Sequence, residues 1–232
     1  MAVIAGGIAA LSGFGIGSLL TPMLMISMPT SHAVAIVAIP HAIATGIRWL
    51  RLRSDIHRAT FREFGIASAA GGLAGAALQS QLASPVLTVV LGWLLIMSGT
   101  AEVVERRLPL PETPFWRLLG GILSGLFGGL VGNQGGIRAA ALLGFHLTPR
   151  QLVATATASA LLVDAARVPI YLYTQGDVIA DAVPLWVVAS AGAILGTFIG
   201  VPVLSRIPER MYRRLLGALL FLLGLTLFAA AL

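Results

Sequence analysis

GGLVGNQGGIR, residues 128–138, is the stretch that decides how this chain is read. Five glycines, an Asn, a Gln and an Arg interrupt an apolar run that extends from 118 to 146. Each glycine in a helix interior costs about 1 kcal/mol relative to alanine. The cluster therefore predicts a break, leaving two half-helices of about 12 residues, each long enough to reach only half-way through a bilayer. Such a segment enters a membrane and returns on the same side. Non-helical backbone at that depth is tolerated only where it is buried in protein or lines a cavity.

The rest of the chain makes a bilayer the natural solvent. Of its 232 residues, 57% are hydrophobic and 10% charged, with a mean hydropathy of +0.93. Soluble domains carry about 25% charged residues. This composition excludes a water-soluble globule, and its low charge excludes a disordered chain. Apolar segments fall at 2–28, 33–50, 64–82, 85–104, 118–146, 150–173, 182–204 and 211–232, with no polar stretch long enough for a soluble domain. The beginning, MAVIAGGIAALSGFGIGSLL, lacks a basic region, so a cleaved signal peptide is not expected. Cysteine is absent, which removes disulfide and thiolate chemistry. All 15 cations are arginine; in short loops they read as topology signals rather than a nucleic-acid surface.

The chain also repeats itself, at an offset of about 120 residues. Gly13 and Gly17 match Gly132 and Gly136, Arg48 matches Arg167, and Asp55-Ile56 matches Asp177-Val178. Leu91-Gly92 and Gly99 match Leu216-Gly217 and Gly224. Gly71-xxx-Gly75 and Gly192-xxx-Gly196 form a further pair of the small-residue kind that lets membrane helices approach closely. The expected copies are 1–107 and 118–232, joined by a Pro-rich linker at 108–117. If every segment crosses once, nine arginines lie on one side and five on the other, with Arg138 buried. If 118–146 turns back, the division becomes thirteen against one. The positive-inside bias favours the second arrangement. The expected fold is an all-α polytopic membrane protein of two inverted repeats. Each consists of one broken, re-entrant segment and three transmembrane helices. Trp49, Trp116 and Tyr212 are expected at the inner boundary, Tyr171, Tyr173 and Trp186 at the outer one, and Trp93 in packing.

Two broken helices that meet near mid-membrane are a recurrent way to build a substrate site. The first turn of each outgoing half-helix has unsatisfied N–H groups and the positive end of a helix dipole, which suit an anion. The amide sets Gly15–Leu19 and Gln134–Arg138 are the candidates. Gly15, Gly17, Ser18, Asn133, Gln134, Gly135 and Gly136 are thus expected to bind substrate, the glycines by admitting a ligand to the backbone. Arg138 is the sharpest residue, because an arginine at mid-membrane costs about 2.5–3.5 kcal/mol on insertion scales. Its planar fork fits carboxylate, sulfonate or phosphate oxygens. Asp164 is its candidate structural partner and also stands at i, i+3 from Arg167. Arg48, Arg51 and Arg167 lie near segment ends, where snorkelling or topology explains them; Arg48 and Arg167 remain candidates for ion pairing. His41 is intramembrane and suits a proton-coupled step or a core hydrogen bond. Glu102, at a helix end, is expected to be solvated.

No HExxH, Walker loop, GxSxG elbow or Cys/His metal cluster is present, so neither an enzyme nor a metal or other cofactor is expected. The expected partners are a small anion and lipid, with self-association left open and no nucleic acid. The residues by themselves argue only for an anion ligand, and leave open a secondary transporter, a passive anion channel, a membrane scaffold or an intramembrane enzyme.

The glycine-rich LSGFGIGSLLTPML (11–24) and SGLFGGLVGNQGGIRAAALL (124–143) open the two halves. Each is followed by a small-residue helix, AVAIVAIPHAIATGIR (33–48) and QLVATATASALLVDAAR (151–167). In these features the chain resembles the sulfite exporter TauE/SafE family, also called the 4-toluene sulfonate uptake permease family. Two departures stand out: Gly15-Ile16-Gly17-Ser18 replaces a longer glycine run, and the second motif carries Asn133-Gln134 and Arg138 but no counterpart of Pro22. The resemblance implies a multi-pass protein of the bacterial inner membrane that carries sulfite, an organosulfonate or a related organic acid.

Overall fold

The computed structural model describes residues 2–4, 7, 15–104, 113–200 and 208–231. Among them there is no strand. The helices run α1 (Ile16–Leu24), α2 (Thr30–Leu52), α3 (Ile66–Gln79), α4 (Ser84–Val103), α5 (Pro114–Val131), α6 (Gly135–Leu143), α7 (Pro149–Asp181), α8 (Val183–Leu195) and α9 (Glu209–Ala230). A helical turn (Arg58–Thr60) and a π turn (Phe61–Gly65) lengthen α3, and a π turn (Gly196–Gly200) lengthens α8. Five helices, α2, α4, α5, α7 and α9, are long and apolar enough to cross a membrane. The chain is an all-α polytopic membrane protein.

The polar contacts between helix ends define two faces. At one face Arg150 pairs with Asp55 at 3.2 Å, and the Arg51 guanidinium sits 3.9 Å over the Phe198 ring. Arg213 meets Glu102 at 3.0 Å at the same end of the bundle. At the opposite face Gln175 donates to Gln79, Gln79 donates to the Ser31 carbonyl, and Ser31 meets Ser84. The arginines of these end contacts all lie at the first face. Asp181 belongs to the second, where it shares a surface pocket with Met28 and His32.

The break at 132–134 is present, and the chain turns back there. α5 ends at Gly132, whose φ of 73° lies in the left-handed region that closes helices with glycine. α6 then returns to the arginine-rich face, where Arg117 donates to the Gly144 carbonyl at 3.2 Å and lies over the Phe145 ring. Helix length alone would make α5 a crossing; its partner contacts make it one arm of a re-entrant pair. Gly15, with φ 140°, opens α1 at the corresponding point of the first half. Gly13 and residues 108–112 of the expected linker lie outside the described residues. The remaining linker residues are already structured, since α5 starts at Pro114 rather than 118.

Glycine seams hold the bundle together. α3 and α5 run parallel, with Gly71 and Gly75 against the Ile122 and Leu126 carbonyls and Gly125 and Gly129 against those of Ser68 and Gly72. Gly192 and Gly196 of α8 meet Ala2 and Val3 in the same manner. α4 and α9 cross antiparallel through reciprocal contacts, Gly92 with Gly224 and Gly99 with Gly217. These four glycines are the matched positions of the sequence repeat.

Trp93 is 54% exposed, on the outside of the bundle, not in its packing. Tyr171, expected at a membrane boundary, is fully buried, because its hydroxyl donates to the Gly129 carbonyl next to the break. Glu102 is also buried, by its pairing with Arg213, and not solvated.

Candidate functional site

α2 and α7 cross antiparallel through the middle of the molecule, and the two helix breaks lie against them. Gly132 has Thr21 of α1, Val34 of α2 and Arg167 of α7 around its Cα. Ser18 of α1 donates to Asn133 Oδ1 at 3.3 Å, so the two interrupted segments touch. Around this contact lie Ser18, His41, Arg48, Asn133, Gln134, Arg138, Asp164 and Arg167, all buried. Arg138 is 3% exposed, Arg48 5%, and Asp164 and Arg167 1% each.

Asp164 is the hub. Its Oδ2 lies 2.7 Å from His41 Nδ1, and its Oδ1 accepts from Arg167 Nε at 3.0 Å, with Arg167 Nη2 at 2.8 Å. The i, i+3 pair expected from the sequence is formed. Arg167 also donates from Nη1 to the Gly128 carbonyl at 2.5 Å, one of the last carbonyls of α5. The guanidinium thereby anchors the broken end of α5 to α7. Snorkelling and topology do not explain Arg48 or Arg167. Up to the non-helical Gln175, α7 has 26 residues, which at 1.5 Å per residue is about 39 Å. Position 167 is therefore deep within it, and Arg48 turns inward to Thr45 Oγ1 at 3.4 Å.

Arg138, on the first turn of α6, lies within electrostatic reach of Arg48, Arg167 and Asp164. Asp164 is shared: its oxygens hold His41 and Arg167, and its charge also acts on Arg138. Among the described residues of this cluster, three guanidiniums face a single carboxylate. Burying charge in a low-dielectric interior costs several kcal/mol per ion unless it is compensated. A cluster of this balance has room for an anion.

The backbone narrows the expected amide sets. Leu19 N–H is taken by the Gly15 carbonyl at 3.0 Å, and Arg138 N–H by the Gln134 carbonyl at 3.0 Å. Among the described residues, the first-turn amides that remain in the second segment are those of Gly135, Gly136 and Ile137. Gly17 and Gly136 do not leave open space for a ligand here. The Gly132 carbonyl packs on Gly17, and Ser98 Oγ would lie 2.6 Å from a Cβ at position 136. Both glycines serve the approach of protein to protein in this closed arrangement.

Several polar groups were not singled out from the sequence. Thr45, Thr21, Ser124, Thr157 and Ser159 are all buried around the cluster or along α7 below it. Thr21 Oγ1, Thr157 Oγ1, Ser159 Oγ, Asn133 Nδ2 and both polar side-chain atoms of Gln134 have no hydrogen-bond partner among the described residues. Buried polar atoms are normally satisfied. The signal was available in ATATAS (154–159), where three hydroxyls occur in six residues of a membrane helix.

A family model described as Sulfite exporter TauE/SafE matches residues 1–227, nearly the whole chain. The chain belongs to the TauE/SafE family. No curated protein and no solved structure matches it. Membership of this transporter family, with the apolar helices already described, makes the chain a multi-pass membrane transport protein. The cluster between α2, α7 and the two breaks is its candidate substrate site.

Proposed function

We propose that this TauE/SafE protein is a secondary transporter of a small oxyanion in the bacterial inner membrane. Sulfite, an organosulfonate or a related organic acid is the cargo, and a proton gradient drives its movement. The observation that carries this reading is the buried excess of guanidinium over carboxylate at the meeting point of two helix breaks. Arg138 binds the anion directly, because it stands on the first turn of α6 beside free amides. Gln134 and Asn133 supply further donors from side-chain atoms that the protein itself leaves unsatisfied. Arg48 and Arg167 set the positive field, and Asp164 keeps Arg167 in place. The arginine-rich face is cytoplasmic by the positive-inside rule. Two inverted copies, 1–107 and 118–232, rock about the α4–α9 crossing and open the site to alternate sides.

Purified protein in liposomes, offered sulfite, sulfonates and carboxylates across an imposed pH gradient, tests this. One of these anions is expected to move, with flux dependent on the gradient. Arg138→Ala is expected to weaken binding of that anion about 10- to 100-fold, the equivalent of losing one charge-assisted hydrogen bond or more. Wild-type affinity in that variant removes Arg138 from the site, and flux that follows only the anion's own gradient and ignores the pH gradient makes the protein a passive channel.

A further inference from the structure

His41 stands in α2 at a point where the second half of the chain has Ala160 at the corresponding offset, so the repeat does not account for it. Its ring bridges the two halves, because Asp164 belongs to α7. Asp164 lies against the permanently charged Arg167 guanidinium, with Nε at 3.0 Å and Nη2 at 2.8 Å from Oδ1; that ion pair keeps it a carboxylate, which accepts at Oδ2 as well. An ionised carboxylate has no proton to give, so His41 Nδ1 carries the hydrogen of that 2.7 Å contact. The tautomer follows from this network, and it leaves Nε2 as the basic nitrogen of the ring.

The surroundings of His41 limit what else could titrate near it. α7 presents Asp164 and Arg167, α2 itself contributes Arg48, and α6 contributes Arg138. The sequences of α1, α3 and α8 contain no titratable residue; α4 contains only Glu102, paired with Arg213 at its far end, and α5 only Arg117, beside Gly144. The guanidiniums stay charged at any physiological pH. Asp164 is tied at both oxygens. His41 is the one side chain of the cluster whose ordinary pKa lies in that range.

We propose that His41 carries the coupled proton on Nε2 while Nδ1 holds Asp164. The inference deepens the anion-transport reading and rests on it. Nε2 takes a proton from hydronium, leaving water, and later returns it to water on the other side; no other bond changes and no electron moves. The imidazolium adds one positive charge beside the anion site. Anion and proton then strengthen each other's binding by the same factor, as linkage requires. The proton also turns the α2–α7 contact into an ion pair, so the loaded state is the one in which the two halves are held together.

His41→Asn tests this, since its amide keeps a donor near Nδ1 and lacks the basic Nε2. In the wild type, anion affinity is expected to rise about tenfold between pH 8 and pH 6. In His41→Asn that rise is expected to fall below about twofold. Accumulation driven by a pH gradient is expected to vanish. Full gradient-driven accumulation in His41→Asn overturns the assignment. A second measurement needs no variant: anion added to wild-type protein in weakly buffered detergent solution takes up a proton. Absence of proton uptake at every pH from 5 to 8 overturns the proposal and leaves anion transport standing. A wild type that moves no anion at all removes both.

Discussion

Along α3–α5, Gly71, Gly75, Gly125 and Gly129 bring two backbones together with no side chain between them. Along α2–α7, His41, Arg48, Asp164 and Arg167 place four polar groups between helices that cross just as centrally. Lipid gives helices no hydrophobic reason to associate, so the first seam depends on close contact over its length. Its geometry admits one arrangement, since a shift would drive carbonyls into Cα atoms. The second seam depends on a few directional contacts centred on one carboxylate, and such contacts can be exchanged. The first is suited to holding a frame and the second to changing its state.

The largest effect is expected from Asp164→Ala. That change leaves His41 and Arg167 without their shared acceptor and is expected to destabilise the protein by about 3–5 kcal/mol. Thermal unfolding in detergent measures it, and a melting temperature near that of the wild type would show that the polar seam is not held by this residue. Gly125→Ala attacks the other seam. A Cβ there runs into the Ser68 carbonyl, and overpacking of this kind costs about 1–3 kcal/mol. The same melting experiment reads it, and anion affinity per folded molecule is expected to stay unchanged. The smallest effect is expected from Gly176→Ala, which has nothing within 4 Å and follows the non-helical Gln175. A slight gain of up to about 1 kcal/mol is expected, from helix propensity alone. A loss as large as that of Gly125→Ala would mean that α7 needs its glycine to bend at that point.

The frame was more legible in the sequence than the polar seam. GGLVGNQGGIR declared its break through glycine propensity, and arginine bias declared that the segment returns. The spacing of Asp164 and Arg167 declared their pairing, and an arginine at position 138 far from any loop declared its burial. The depth of Arg48 and Arg167 is not legible, because distance from a loop along the chain is not distance from the membrane surface. α7 is longer than a bilayer core is thick, so that equivalence fails. Tyr171 was misplaced for the same reason. The packing of Gly17 on the Gly132 carbonyl was hidden too, since a glycine that admits a ligand and one that admits another strand of backbone look alike in one dimension. His41 showed a position in the sequence, but its partner 123 residues away appears only when α2 and α7 are laid side by side.

The α4–α9 crossing, with Gly92 on Gly224 and Gly99 on Gly217, reads the same from either end. Each half of the chain therefore owns a surface that fits its own likeness turned upside down. Such a surface does not need a covalent tether to work. It is the join that two separate, antiparallel helices of a single kind would use, because each glycine finds a carbonyl whichever helix is taken first.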